Sequence, residues 1–168
     1  MFIRQETAAD HKAVYEVVKT AFATAEHSDG NEQNLVNALR NSAAFLPELS
    51  LVAVVGSKIV GHILYTKVDI GGTTALALAP LSVLPRFQQQ GIGKALMQAG
   101  HDIARELGFS YSVVLGSPDY YPKAGYTPAD RFGIVPPFDV PDGHYMALKL
   151  NPHAPPCQGT VKYDPAFD

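Results

Sequence analysis

From Thr74 to Leu84 the chain carries almost no polar side chain, and it then turns through Pro85-Arg86-Phe87-Gln88-Gln89-Gln90-Gly91-Ile92-Gly93-Lys94 into a strongly amphipathic stretch. An apolar run this short is about half what a membrane helix needs. It reads as a strand buried on both faces at the centre of a sheet. Beyond the glycines, Ile92, Ala95, Leu96, Ala99, Ile103 and Leu107 recur at three- and four-residue spacing, and Gly108 stands where a helix would be capped. A buried strand that feeds a polar, glycine-bearing loop opening a helix confines the chain to folds mixing α and β elements. It also sets unpaired amides and the positive end of a helix dipole beside accessible main chain, which suits phosphate.

The flanking sequence supplies more of the same alternation. Phe2 to Gln5 reads as a first strand, and Ala13, Val14, Val17, Val18, Ala21 and Phe22 mark a first helix after the capping residues Thr7 to Asp10. Leu35, Val36 and Leu39 mark a second helix that runs to about Asn41. Leu51 to Val55 and Ile59 to Thr66 read as strands joined by a Gly56-Ser57 hairpin, and Gly71-Gly72 turns the chain into the apolar strand. Tyr111 to Leu115 is a further buried strand, Asp119 to Ala124 a short helix, and Tyr126 and His144 to Leu150 supply the last strands. The expected order is β-α-α-β-β-β-α-β-α-β-β, in one domain over residues 1–150. The Pro-containing tail, 151–168, has Val161, Tyr163 and Phe167 as apolar anchors, and it is expected to dock with Val161 to Tyr163 at a sheet edge.

Composition closes off several classes of function. The 168 residues are 46% hydrophobic and 17% charged, the balance of an ordinary folded domain. A net charge of −3 without any Lys/Arg cluster argues against nucleic acid as a partner. The single cysteine, Cys157, cannot form an internal disulfide, and the start of the chain does not resemble a secretory signal, so a cytoplasmic location is expected. No residue pattern calls for a metal or a membrane.

Spacing then separates the phosphate-binding loops that could follow such a strand. A triphosphate-binding loop needs four residues between its glycines and a hydroxyl residue after the lysine, whereas Gly91 and Gly93 are separated by one residue and Ala95 follows Lys94. A dinucleotide loop needs a third glycine where Leu96 stands and an acidic residue where Ser110 and Tyr111 stand. Neither fits. What Gln88-Gln89-Gln90-Gly91-Ile92-Gly93 resembles is the acyl-CoA signature of the GNAT superfamily of N-acetyltransferases, Gln/Arg-x-x-Gly-x-Gly/Ala. A second segment, Tyr121-Pro122-Lys123-Ala124-Gly125-Tyr126, is similar to that family's Tyr-x-x-x-Gly-Phe, with Tyr126 in place of the usual Phe. The element order from Phe2 to Leu150 also matches, so the resemblance covers about nine-tenths of the chain, and it points to the small stand-alone bacterial members.

The resemblance implies an α+β GNAT fold, with a mixed, mostly antiparallel sheet of roughly six or seven strands flanked by about four helices. It implies acetyl-CoA as acyl donor and an unidentified amine as acceptor, with a homodimer as a possible assembly. It places Leu81, Ser82 and Val83 along the pantetheine arm, Gln88 to Lys94 on the pyrophosphate, and Ser117 beside the cofactor. Amide formation from a thioester needs a proton for the departing thiolate, and Tyr121, with an ordinary pKa near 10, can hold one at neutral pH. Many members carry a carboxylate on the fourth strand as general base, yet Thr74 to Val83 contains no Asp, Glu or His. His62 and Glu32 are the leading candidates, with Glu26, His27 and His144 behind them. Lacking an effective base, the chain would instead be a non-catalytic acyl-CoA-binding or regulatory module.

Overall fold

Strand pairing follows the hydrophobic pattern. The computed structural model describes residues 1–25 and 28–168. Its elements in chain order are β1 (Phe2–Gln5), α1 (His11–Phe22), α2 (Glu32–Arg40), β2 (Phe45–Val55), β3 (Lys58–Ile70), β4 (Thr73–Val83) and α3 (Ile92–Glu106). There follow β5 (Tyr111–Leu115), β6 (Thr127–Pro128), β7 (Ile134–Val135), β8 (Tyr145–Lys149) and β9 (Gly159–Lys162). The sheet runs β1-β2-β3-β4-β5-β8-β6, and β9 joins it on β3 while pairing with β7. All pairs are antiparallel except β4 with β5 and β7 with β9. Among the described residues no helix is long and apolar enough to cross a membrane.

Alternation along the strands divides the core between two faces. On one, Val14 and Val18 of α1 and Val36 and Leu39 of α2 bury with Val52, Val54 and Leu64. On the other, Leu96, Met97 and Ala104 of α3 bury with Leu51, Ile63, Tyr65 and Leu76. The first turn of the chain is fixed by charge: Asp10 accepts two bonds from Arg4, at 2.7 and 3.0 Å, and one from the Thr7 amide at 2.7 Å. The Arg4 guanidinium holds the Asp10 carboxyl well below the usual carboxylate range.

The feature that positions the site is a divergence of two strands. β4 and β5 pair only at Leu76 with Ser112 and Ala77 with Val113. Past Ala77, Leu78 still faces Tyr65 and Leu81 faces Ile63, so Ala79 and Pro80 together oppose Leu64 in a β-bulge. A bulge bends the strand that carries it, and proline, which has no N–H to give, is tolerated there. The result is a gap between β4 and β5 that opens toward Val83.

Several expectations need correction. Among the described residues there are three α-helices, not about four, because Tyr121–Ala124 makes a single 3₁₀ turn, closed by Gly125. Among the described residues nine strands replace the expected six or seven: β7 is two residues long and carries no periodicity to read, and β9 comes from the tail. β2 starts at Phe45 rather than Leu51; exposed Pro47 and Glu48 interrupt its pattern, and its register with β3 shifts between Phe45 and Ser50. The tail carries a strand in the sheet, with Val161 opposite Ile70 and Lys162 opposite Asp69.

Candidate active site

The loop between β4 and α3 is built to present amides. Gly91 is left-handed, with φ of 84°, and Gln89 shares that region at 61°, a conformation uncommon outside glycine. The first amide to donate into the helix is that of Ala95, to the Gly91 carbonyl at 3.0 Å. Among the described residues, no acceptor takes the amides from Gln89 to Lys94. The Gln88 side chain reaches back and donates to the Val83 carbonyl at 3.0 Å, tying the loop to the end of β4. Because the Leu84 amide donates to Val60 of β3, strand alternation sends the main-chain groups of Leu81 and Val83 the other way, into the gap.

A cavity of about 620 Å³ collects these parts. Leu81 and Val83 form one wall, the loop from Gln88 to Lys94 another, and Tyr120 and Tyr121 a third. Lys94 and Lys123 bring two positive charges to it. Lys123, Phe87 and Tyr120 were not assigned to the cofactor from sequence; Lys123 was findable, since it stands inside the tyrosine segment itself. Of the assigned residues, Ser82, Gln90 and Ser117 do not line this cavity. Ser82 is buried on the opposite face, Gln90 donates to the Arg86 carbonyl, and the exposed Ser117 hydroxyl accepts from the Asp119 amide.

Glycines seat the two tyrosines. A Cβ at Gly93 would run into the Tyr120 hydroxyl, and one at Gly116 would overlap the Tyr121 ring. Tyr121 stacks edge-on against Tyr120 and Tyr126, at centroid distances of 5.1 and 6.0 Å. Burial pushes its hydroxyl above the ordinary phenol range, with Tyr120 acting in the same direction, so it is a protonated donor at neutral pH. Tyr126, where the GNAT pattern has Phe, uses its extra oxygen: it lies 3.0 Å from His101 Nε2 and 2.8 Å from the Ser112 hydroxyl. His101 carries no sequence signal beyond its place on the buried face of α3.

The candidate bases fall elsewhere. His62 is wholly buried, with Nε2 3.0 Å from the Ser50 hydroxyl, which in turn donates to Glu6 at 2.9 Å. Burial brings His62 down to about 4, against the opposing pull of the Glu6 carboxylate. Glu6, itself pushed up by burial, is held lower on balance by its bonds with Arg40, one of them 3.1 Å long. Glu32 starts α2 and accepts the Ser28 hydroxyl at 2.8 Å, and His144 lies 3.1 Å from its neighbour Asp142's carbonyl. None of the three lines the tyrosine cavity. Glu26 and His27 lie outside the described residues. Among the described residues no three His, Cys, Asp or Glu side chains gather as a metal site. A larger hollow, about 840 Å³ between α1 and the β2–β3 hairpin, includes neither Tyr121 nor any residue from Gln88 to Lys94.

Comparison with known proteins decides what such a cavity belongs to. Residues 12–126 match the model of the acetyltransferase (GNAT) family. The chain is a GNAT-family N-acetyltransferase. It is 34% identical to the N-acetyltransferase YjhQ of Escherichia coli over 141 residues, 81% of this chain and 75% of YjhQ. A crystal structure of the E. coli GNAT N-acetyltransferase YhbS in complex with CoA superposes with a TM-score of 0.90 at 25% identity, covering 99% of this chain and 91% of YhbS. A GNAT acetyltransferase from Brucella melitensis in complex with acetyl-CoA gives 0.82 at 33% identity, covering 99% and 97%. This GNAT fold has the mixed, mostly antiparallel sheet that the family resemblance led us to expect.

Proposed function

We propose that this acetyltransferase moves an acetyl group from acetyl-CoA to a primary amine by direct attack within a ternary complex. The observation that carries the reading is the single cavity in which free loop amides, the unpaired edge of β4 and the Tyr121 ring meet. The amides from Gln89 to Lys94, helped by Lys94 and Lys123, suit the pyrophosphate. The main-chain groups of Leu81 and the Val83 amide pair with the amide-bearing arm, as a neighbouring strand would, and lead the thioester down the gap. An amide on β4 directed at the thioester oxygen stabilises the charge that builds there. The amine nitrogen attacks the carbonyl carbon, the C–S bond breaks, Tyr121 gives its hydroxyl proton to the thiolate, and the amine's surplus proton passes to water. Crystal complexes of YhbS with CoA and of the Brucella protein with acetyl-CoA support the choice of donor. Incubating the protein with acetyl-CoA and a panel of amines tests it: thiol release that depends on amine, matched by amide formed, is expected. Thiol release independent of amine contradicts direct transfer.

A further inference from the structure

Resting on that reading, the structure also describes its acceptor. A second cavity, of about 600 Å³, borders Ala77, Leu78 and Ala79 of β4 and Leu115 at the end of β5. These are the residues where the two strands part, so this cavity and the tyrosine cavity flank the same gap. Its size is that of a small-molecule pocket. Its remaining walls come from far along the chain: Pro137 and Phe138 from the loop before β8, then Val161, Lys162, Tyr163, Phe167 and Asp168 from the tail.

The chemistry of those walls is narrow. Phe138 and Tyr163 lie 5.8 Å apart and Tyr163 meets Phe167 edge-on at 4.9 Å, giving a continuous aromatic surface. The Tyr163 hydroxyl is engaged with that of Tyr145 at 2.7 Å, and burial pushes it up to about 12, so it brings no negative charge. Val161 is buried in the core beneath this surface; Lys162 also borders the cavity, and strand alternation turns its side chain to the opposite side of β9 from that of Val161. Asp168 is the one acidic residue in the lining, and among the described residues it makes no side-chain hydrogen bond or ion pair. Aromatic faces and a free carboxylate both attract a cation and both disfavour an anion.

We infer that this cavity is the acceptor pocket, and that its acceptor is a small primary amine on an apolar, aromatic-sized body with no carboxylate or phosphate of its own. The protonated amine is drawn in by Asp168 and the ring faces, its body packs on Phe138, Tyr163 and Phe167, and it loses a proton to water before attack. The tail thereby sets acceptor specificity while the cofactor loop stays unaffected by it.

The test compares phenethylamine, phenylalanine, putrescine and a lysine-containing peptide as acceptors for the full chain with acetyl-CoA. Phenethylamine is expected to lead in kcat/KM by about tenfold or more. Asp168→Asn and, separately, Phe138→Ala should each raise its KM by about tenfold while the Kd for acetyl-CoA stays within about twofold. Phe138 is 45% exposed, so its truncation leaves the core intact. A preference for phenylalanine, putrescine or the peptide overturns the inference and leaves the transferase reading standing, as does an unchanged KM in both variants. Turnover of no amine by protein that binds acetyl-CoA overturns the transferase reading and the inference with it.

Discussion

The two cavities that flank the β4–β5 gap are made in different ways. The tyrosine cavity takes most of its wall from one stretch, Leu81 to Lys94, and presents main-chain amides whose exposure depends on backbone shape. The opposite cavity takes its wall from β4, β5, the loop before β8 and the tail, segments far apart in the chain. A site made of backbone leaves a spacing in the sequence, because left-handed positions and helix starts demand particular residues at fixed intervals. A site made of side chains brought together by the fold leaves none.

That difference accounts for what could be read in advance. Gln88, Gly91 and Gly93 announced the loop, and Tyr121 and Gly125 marked the segment after β5, though as a short helix rather than the 3₁₀ turn it makes. Yet Gly93 also makes room for a contact the motif does not state, the approach of the Tyr120 hydroxyl from about thirty residues away. Gly116 went unread for the same reason. Of the aromatic wall, Tyr163 and Phe167 show in the sequence as apolar anchors of a docking tail, but nothing there pairs them with Phe138. His62 was offered as a base because histidine on a strand beside a reaction site has the right chemistry; its side chain faces the core around α1 and α2 and meets Ser50 and Glu6 instead.

The comparison can be broken at several points. The largest effect is expected from Tyr121→Phe, which removes the proposed proton donor while keeping the ring. A fall in kcat of about 10²-fold or more with little change in the Kd for acetyl-CoA is predicted, and steady-state kinetics with calorimetry would show it. Equal activity would move the proton to Tyr120 or water.

A stability test follows from the buried polar groups outside both cavities. Burial brings His62 and His101 each down to about 4, below the value near 6.5 of the unfolded chain. As pH falls from about 6.5 toward 4 the unfolded chain takes up protons that the folded chain refuses, so stability is full above this window and drops through it. A decline of a few kcal/mol is expected from the pair, read as a falling Tm, and a flat Tm between pH 7 and 4.5 would contradict it.

Smaller and sharper is Gly116→Ala. The added methyl overlaps the Tyr121 ring without touching the loop, so kcat should drop on the order of tenfold through misplacement of the hydroxyl. Acetyl-CoA affinity should hold. An unchanged kcat would show that the ring has room to move and that its position is not set from β5.

The central claim is that backbone shape at the β4–α3 loop makes the cofactor site, and the Kd for acetyl-CoA in Gly91→Val tests it most directly. Nothing lies within 4 Å of where a Cβ at Gly91 would sit, so the substitution does not crowd the fold; it opposes only the left-handed turn, at φ of 84°. The account predicts a folded protein whose Kd for acetyl-CoA rises by about 10²-fold or whose binding is lost, through amides turned away from the pyrophosphate. A folded Gly91→Val protein that binds acetyl-CoA as tightly as the parent would contradict it.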